Sequence, residues 1–174
     1  GLGHNQLKQF GEARKYFIKA LNIRPNSPNV LHSMAILYDE VKEWEKSDEI
    51  YISLIKSDST DAQAFNNYAY SLVERNHNLD KALTLAKKAI ALDPDNPSYL
   101  DTIGWIYFKL NENDKAREYI ETSVGIKGDN AVVLEHLGDI FMKLQKVDDA
   151  MDYYQRALEL DKNNAQLIKK VFPE

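Results

Sequence analysis

Small residues recur along this chain at a spacing of 34 residues, and this period constrains the fold more than any other feature of the sequence. Gly138 follows Gly104 by 34 residues, and Ala69 precedes Gly104 by 35. A second series of small residues has the same period. Its single step of 35 and the step of 35 in the first series both include the polar turn ERNHNLDKA. One extra residue is easily accommodated in a turn. Two series that share one period indicate an internal repeat. The second series comprises Ala13, Ser47, Ala82, Ala116 and Ala150.

Each period contains two amphipathic segments separated by a short polar turn. In the period that begins at Pro97, Leu100, Ile103 and Tyr107 recur at intervals of three and four residues, which places them on one face of a helix. After the turn NEND, Ala116 and Ile120 share a face of a second helix. The repeating unit is therefore predicted to be a helical hairpin.

The last complete unit, AVVLEHLGDIFMKLQKVDDAMDYYQRALELDKNN, resembles the tetratricopeptide repeat, a helix–turn–helix unit of about 34 residues. The resemblance implies an all-α fold, a right-handed superhelical solenoid of antiparallel helix hairpins with a C-terminal capping helix. The stretches NNYAYSLVER and YLDTIGWIYFKL also resemble bacterial members of this family. The residues that match the family pattern in the last unit are Leu134, Leu137, Gly138, Phe141, Ala150, Tyr154 and Ala157.

The two ends of the chain are expected to differ from the complete units. Residues 1–27 are interpreted as a partial unit with a truncated first helix and a second helix, because Gly1 corresponds to the middle of a first helix. We therefore interpret the chain as a fragment of a longer protein, or as one from which an earlier portion was removed. Residues 165–174 are predicted to form a capping helix, which terminal repeats require. The complete units are predicted at 28–61, 62–96 (with a one-residue insertion in its turn), 97–130 and 131–164.

Trp105 directly follows Gly104, and this juxtaposition points to a binding surface. Gly104 is expected where the two helices of a unit cross, because a larger side chain there would overpack the contact. Trp105 lies about 100° further round the helix and points away from that contact. In the resembled family, first helices line a concave surface, and residues at this place face the groove. The resemblance thus implies a partner-binding groove with an apolar stripe of Ile36, Tyr70, Trp105 and Phe108, beside Asn66, Asp101, Glu135 and Asp139.

These residues also have structural interpretations. Trp105 and Phe108 could instead fill the space between neighbouring first helices, as aromatic residues at helical spacing often do. Asp101, Glu135 and Asp139 could form a solvated acidic face. If the acidic residues contact a partner, that partner is expected to be basic or amphipathic.

Several classes of function are disfavoured by the composition. The net charge of -5 and pI of about 5.4 argue against nucleic-acid binding, which usually needs a basic face. The chain has no cysteine, which excludes disulfides and thiolate metal sites. No apolar run approaches the roughly 20 residues that membrane insertion requires. The sequence lacks a phosphate-binding loop, a nucleophile elbow and a zinc-protease helix, so we expect no catalysis and no cofactor.

The sequence therefore predicts a non-catalytic protein–protein interaction scaffold that binds a peptide, a helix or a protein surface in its concave groove. One branch of the family binds chaperone tails through Lys, Asn and Arg, but only Asn67 matches that pattern here, and the cations that a carboxylate needs are missing. Two alternatives remain open: self-association through the terminal units to give a homo-oligomer, or service as the targeting arm of a larger protein. The composition fits the cytoplasm or the periplasm equally well.

Overall fold

The computed structural model describes residues 2–24, 26–128 and 130–172, and its regular secondary structure there is entirely helical. Gly1 and residues 173–174 of the predicted capping segment lie outside these ranges. No helix in the described ranges has both the length and the hydrophobicity needed to cross a membrane. The helices are α1 Leu2–Ile23, α2 Pro28–Glu40, α3 Trp44–Ser57, α4 Ala62–Glu74, α5 Leu79–Leu92, α6 Pro97–Lys109, α7 Asn113–Ile126, α8 Ala131–Lys143, α9 Val147–Leu160 and α10 Ala165–Val171.

Consecutive helices pack as hairpins, α2 with α3, α4 with α5, α6 with α7 and α8 with α9. The turns within three of these hairpins each contain one residue with a positive φ: Lys42 at 61°, Asn111 at 61° and Gln145 at 62°. The turn between α4 and α5 contains two such residues, Asn76 at 50° and Asn78 at 46°. Asparagine tolerates this left-handed conformation better than most residues. The longer turn of this unit is where the repeat has its one step of 35 residues.

The small residues lie where the two helices of a unit cross, as predicted. A Cβ atom on Gly138 would lie 2.5 Å from the Cδ1 and Cε1 atoms of Tyr154. A Cβ atom on Gly104 would overlap the side chain of Ile120 and lie 3.1 Å from the carbonyl oxygen of Ala116. Glycine at both positions therefore sets how closely the paired helices approach each other.

The first segment differs from the expected partial unit. A truncated first helix, a turn and a second helix were predicted within 1–27, but Leu2–Ile23 is one continuous helix. Inside a helix the backbone amides and carbonyls pair within the segment. A turn would interrupt those bonds. The helical hydrogen bonds therefore continue through the predicted turn.

The first helices of the units form the inner surface of the solenoid. The helices α2, α4 and α6 each contact the next first helix directly, and these contacts are closer than those between successive second helices. Each second helix instead packs against the first helix of the following unit. Because stacked hairpins curve toward the side where their helices are closest, the first helices face the inside of the curve.

Candidate partner-binding groove

Two clefts open side by side on the inner surface, and Asn67 and Tyr70 of α4 line both of them. The cleft between α2 and α4, here called the acidic cleft, has a volume of about 470 Å³. The cleft on the other side of α4, here called the amide cleft, has a volume of about 290 Å³. A ligand that crosses α4 would contact both clefts, so together they form one continuous groove.

The acidic cleft combines apolar walls with carboxylates. Ile36 is 42% exposed and faces the cleft from α2. Asp39 is already bonded within the fold, since its carboxylate accepts hydrogen bonds from the Tyr51 hydroxyl at 3.0 Å and the Ser71 hydroxyl at 2.8 Å. The exposed carboxylates therefore come mainly from the last residues of α2 and α4. The cleft is lined by Ile36, Asp39, Glu40, Trp44, Tyr51, Asn67, Tyr70, Ser71 and Glu74.

Tyr70 lies between the two clefts in a negative electrostatic environment. Burial raises the pKa of its hydroxyl well above the ordinary value, and the charges of Glu74, Asp101 and Glu135 raise this pKa further. The hydroxyl therefore stays protonated and neutral at physiological pH. Of the three carboxylates, only Glu74 is exposed and lines a cleft, and its charge would attract a cation to the surface around Tyr70.

Besides Tyr70, the amide cleft holds two of the predicted groove residues, Asn66 and Asp101. Both are buried, with 7% and 6% of their surface exposed. The carboxylate of Asp101 accepts a hydrogen bond from His136 Nδ1 at 2.9 Å, so it is already paired with the next unit. The cleft is lined by Asn66, Asn67, Tyr70, Pro97, Ser98, Asp101, Thr102, Ser123, Lys127, Asn130, Val132 and Val133.

Trp105 lies between neighbouring first helices and lines neither cleft. It is 7% exposed, and its ring stacks on His136 with centroids 3.9 Å apart and on Phe108 with centroids 4.9 Å apart. Its indole N–H donates a hydrogen bond to Glu74 Oε1 at 2.9 Å. These contacts join α4, α6 and α8. The apolar stripe is therefore divided, with Ile36 and Tyr70 in the groove and the Trp105–Phe108 stack beside it.

Glu135 and Asp139 lie further along the inner surface, outside both clefts, and hold a lysine of the chain itself. Lys170 Nζ of α10 donates hydrogen bonds to Glu135 at 2.8 Å and to Asp139 at 2.6 Å. Burial acts to lower the Lys170 pKa, but the hydrogen bonds to the two carboxylates outweigh burial and raise it. The Tyr154 hydroxyl also donates to Asp139, at 2.6 Å. This part of the inner surface is thus occupied by α10.

Sequence reasoning missed most of the residues that line the two clefts, among them Glu40, Trp44, Asn67 and Glu74. Glu40 and Glu74 stand four residues after Ile36 and Tyr70, so helical spacing alone would have placed them on the same face. Trp44 begins α3 and reaches the acidic cleft only because the hairpin folds back on α2. Asn67 matched the chaperone-type pattern in isolation, and its position on both clefts depends on the packing of α2 and α6 against α4.

The side chains of the groove can bind a ligand through non-covalent contacts. It presents aromatic and aliphatic surface, carboxylate oxygens and side-chain amides. In the ranges that the structure describes, no three histidine or carboxylate side chains come together as metal ligands.

Comparison with known proteins gives consistent matches. A family model described as tetratricopeptide repeat matches residues 3–170. A TPR repeat-containing protein of Pseudomonas aeruginosa is 28% identical over 85 residues, covering 49% of this chain and 14% of that protein. The type IV pilus assembly protein PilF of the same organism is 26% identical over 119 residues, covering 68% of this chain and 47% of PilF. The chain thus spans less than half the length of either curated relative.

Solved structures match almost the whole chain. A structure of Pseudomonas aeruginosa PilF aligns with a TM-score of 0.75 and 25% identity, covering 98% of this chain and 77% of that one. A thermophilic TPR protein of Thermus thermophilus aligns with a TM-score of 0.81 and 20% identity, covering 98% and 93% of the two chains. The second likeness concerns the fold alone.

Proposed function

The chain belongs to the tetratricopeptide repeat family, and on that basis we propose that it is a non-catalytic scaffold that binds a basic, amphipathic segment of another protein in the groove. The observation that carries this proposal is that the acidic and amide clefts share Asn67 and Tyr70 and so form one surface across α4. By its name, PilF takes part in assembling type IV pili. An assembly role requires protein contacts of the kind that such a groove offers.

The acidic cleft suits a side chain with an apolar stem and a cationic end. Ile36, Trp44 and Tyr70 would cover the stem, and Glu40 and Glu74 would face the charge.

The chain already contains a lysine bound in a similar way. Lys170 is held by Glu135 and Asp139, with its Nζ atom 5.1 Å from the centroid of the Tyr154 ring. The acidic cleft offers the same types of group, two carboxylates and a tyrosine ring, to a cation from a partner.

The proposal can be tested by selecting linear peptides from a random phage-displayed library on the immobilised chain. Selected peptides should be enriched in lysine and arginine next to apolar residues, and their affinity should fall as salt rises, because exposed charges are screened. The double variant Glu40→Gln, Glu74→Gln should weaken binding by about 5- to 30-fold, from about 0.5–1 kcal/mol per rim charge. Glutamine at 74 can still accept the indole hydrogen bond, so the fold should be retained.

The matched control is Glu118→Gln, Glu121→Gln, which removes two exposed charges from α7 on the other side of the hairpin. This control should bind the selected peptides as the wild type does. Equal affinities for the wild type and the Glu40, Glu74 variant would contradict the proposal, as would selected peptides without basic enrichment.

A second candidate function, self-association, is favoured by apolar side chains near the end of the described chain. Leu160 is 52% exposed, Ile168 is 40% exposed and Phe172 is 67% exposed. Light scattering over a range of concentrations tests this candidate directly. A mass that rises with concentration, and that Phe172→Asp returns to the monomer value, would support it. A monomer at every concentration would exclude it.

A further inference from the structure

The carboxylate of Glu74 is held from outside the acidic cleft. Glu74 ends α4, is exposed and lines this cleft. Its Oε1 atom accepts a hydrogen bond at 2.9 Å from the indole N–H of Trp105, which belongs to α6 and lines neither cleft. Its Oε2 atom has no hydrogen-bond donor among the residues that the structure describes. One oxygen of this carboxylate is therefore fixed by the fold, and the other is available to a ligand.

The indole ring cannot easily turn away from Glu74. Trp105 is 7% exposed, and its ring stacks on the rings of His136 and Phe108, with centroids 3.9 Å and 4.9 Å away. The His136 ring is held in turn, because its Nδ1 atom is hydrogen-bonded to the carboxylate of Asp101 at 2.9 Å. This packing fixes the direction of the indole N–H, and the N–H fixes the position of Glu74 Oε1.

Two cationic side chains lie close to this pair, and both are engaged elsewhere. Arg75 directly follows Glu74, but its guanidinium pairs with Asp48 at 2.6 Å. The Nζ atom of Lys109 lies over the Trp105 ring, 4.4 Å from the ring centroid. Neither cation forms an ion pair with Glu74. The negative charge of Glu74 is therefore left for a ligand.

A carboxylate with one oxygen already bonded suits lysine better than arginine. A guanidinium binds a carboxylate most strongly through two parallel N–H···O bonds, which use both oxygens. Because Oε1 is turned toward the indole, Glu74 can supply only one of these two bonds. An ammonium group is a compact charge with three donors that rotate freely, so it can bind one oxygen from each of two carboxylates. Lysine therefore loses less than arginine when the indole holds Oε1.

Lys170 shows this second geometry within the chain itself. Its Nζ atom donates to one oxygen of Glu135 at 2.8 Å and to Asp139 Oδ1 at 2.6 Å. The same Oδ1 atom also accepts a hydrogen bond from the hydroxyl of Tyr154 at 2.6 Å. An ammonium group can thus be bound by two separate carboxylates even when one of them is also bonded to an aromatic side chain. The acidic cleft offers its two exposed glutamates for the same purpose.

We propose that the acidic cleft selects lysine over arginine, and that Trp105 is the positioning residue that sets this selectivity through Glu74. This inference rests on the proposed function and deepens it, because the proposed function leaves open which basic residue of the partner is bound. Trp105 does not touch the ligand. Its N–H holds Glu74 so that Glu40 and Glu74 each present one oxygen to an ammonium group.

The test compares matched peptides. The tightest-binding peptide from the library selection is synthesised with lysine or with arginine at each basic position in turn, and affinities are measured by isothermal titration calorimetry. For the wild type, arginine at one position should bind about 2- to 5-fold more weakly than lysine, the value of one exposed charge contact. Trp105→Phe keeps an aromatic ring against His136 and removes the N–H. Glu74 can then turn both oxygens to the ligand, so this preference for lysine should disappear or reverse.

A merely structural role for Trp105 predicts a different result. Loosening of α6 against α4 would weaken the binding of both peptides and leave the ratio of their affinities unchanged, and that outcome would overturn the inference. Glu74→Gln completes a double-variant cycle. With glutamine at 74, Trp105→Phe should leave the affinity ratio as it is. A change of the ratio in that background would show that Trp105 does not act through Glu74.

The matched control is Tyr107→Phe, which removes a polar donor from another buried aromatic ring of α6. Tyr107 is 6% exposed, lines neither cleft and stacks on Tyr119 with ring centroids 5.6 Å apart. This variant should prefer lysine over arginine by the same factor as the wild type. Loss of the preference in Tyr107→Phe would show that any disturbance of α6 removes it, and would contradict the assignment to Trp105.

A measurement on the wild-type chain covers the case in which Trp105→Phe does not fold. The chain has two tryptophans, so the indole N–H signal that remains in Trp44→Phe belongs to Trp105. In nuclear magnetic resonance spectra this N–H should exchange slowly with water, both in the free chain and with the lysine peptide bound, because it is buried and hydrogen-bonded. Exchange as fast as that of an exposed indole would show that Glu74 is not held and would overturn the inference.

The outcomes separate the inference from the proposed function. If Glu40→Gln, Glu74→Gln weakens binding but the wild type binds the lysine and arginine peptides equally at every position, the inference is wrong and the groove remains the binding site. If the Glu40, Glu74 variant binds both peptides as the wild type does, both are wrong. Failure to select any binding peptide would also count against both.

Discussion

Replacing Gly138 by alanine is expected to destabilise the fold, even though alanine is the better helix former. The new Cβ atom would lie 2.5 Å from two atoms of the Tyr154 ring. The ring cannot easily move away, because its hydroxyl is bonded to Asp139 at 2.6 Å and only 3% of the residue is exposed. Helix propensity would contribute about 0.5–1 kcal/mol in favour of alanine. Overpacking costs about 1–3 kcal/mol, so we expect a net loss of about 1 kcal/mol.

Gly125→Ala provides the matched control. Gly125 lies in the last turn of α7, and no heavy atom would come within 4 Å of a Cβ atom there. Only the propensity gain remains, so this variant should be as stable as the wild type or slightly more stable. Urea unfolding followed by far-ultraviolet circular dichroism measures both free energies of unfolding. The two variants should differ by about 1–3 kcal/mol.

A Gly138→Ala variant as stable as Gly125→Ala would refute the close crossing of α8 and α9. The double variant Gly138→Ala, Tyr154→Phe offers a further check. Without its hydroxyl the ring is released from Asp139 and can shift, so alanine at 138 should cost less in this background than in the wild type. Equal costs in the two backgrounds would show that the ring is not the obstacle.

Three further predictions concern pH and stability. Burial, together with a bonded carboxylate in each case, raises the pKa of Tyr51 and Tyr154 above the ordinary value of about 10. The unfolded chain therefore loses these two protons at lower pH than the folded chain does. The free energy of unfolding should fall as pH rises above about 10. Tyrosinate absorbance from both residues should appear only as helix is lost. Lys170 has a raised pKa, so its stabilisation is present below about pH 10.5 and is lost above it. At neutral pH, Lys170→Met should lower the free energy of unfolding, measured by calorimetry, by about 1–2 kcal/mol. The control is Lys169→Met at the exposed neighbouring residue, which should leave this free energy almost unchanged. Trp105→Ala should lower the free energy of unfolding by about 3–5 kcal/mol in the same assay, because Trp105 is only 7% exposed. Unchanged stability would show that Trp105 is a surface residue.

The architecture could be predicted because each repeat imposes the same local requirements. Positions such as Gly104 and Gly138 must stay small where helices cross, and the 34-residue period shows this without any structure. The long helix α1 could not be predicted in this way, because a repeat pattern assumes that every unit has the same neighbours.

The groove was predicted only in part, because exposure on the inner surface depends on the adjacent unit. Tyr70 and Trp105 hold equivalent positions, yet Tyr70 lines the clefts while the side chain of His136 stacks on Trp105. In the same way, Asp139 already accepts a hydrogen bond from Lys170 of the next first helix, α10. Position within one repeat predicts which face a side chain is on. The size and charge of residues a full repeat away decide whether that side chain is available to a partner.

The location of a bound peptide tests the central claim most directly. The measurement is a nuclear magnetic resonance map of the isotopically labelled chain during titration with the selected peptide. The largest shift changes should fall on α2, α4 and α6, at Ile36 and Tyr70. Changes centred on α3, α5, α7 or α9 would place the partner on the outer surface and contradict binding in the groove.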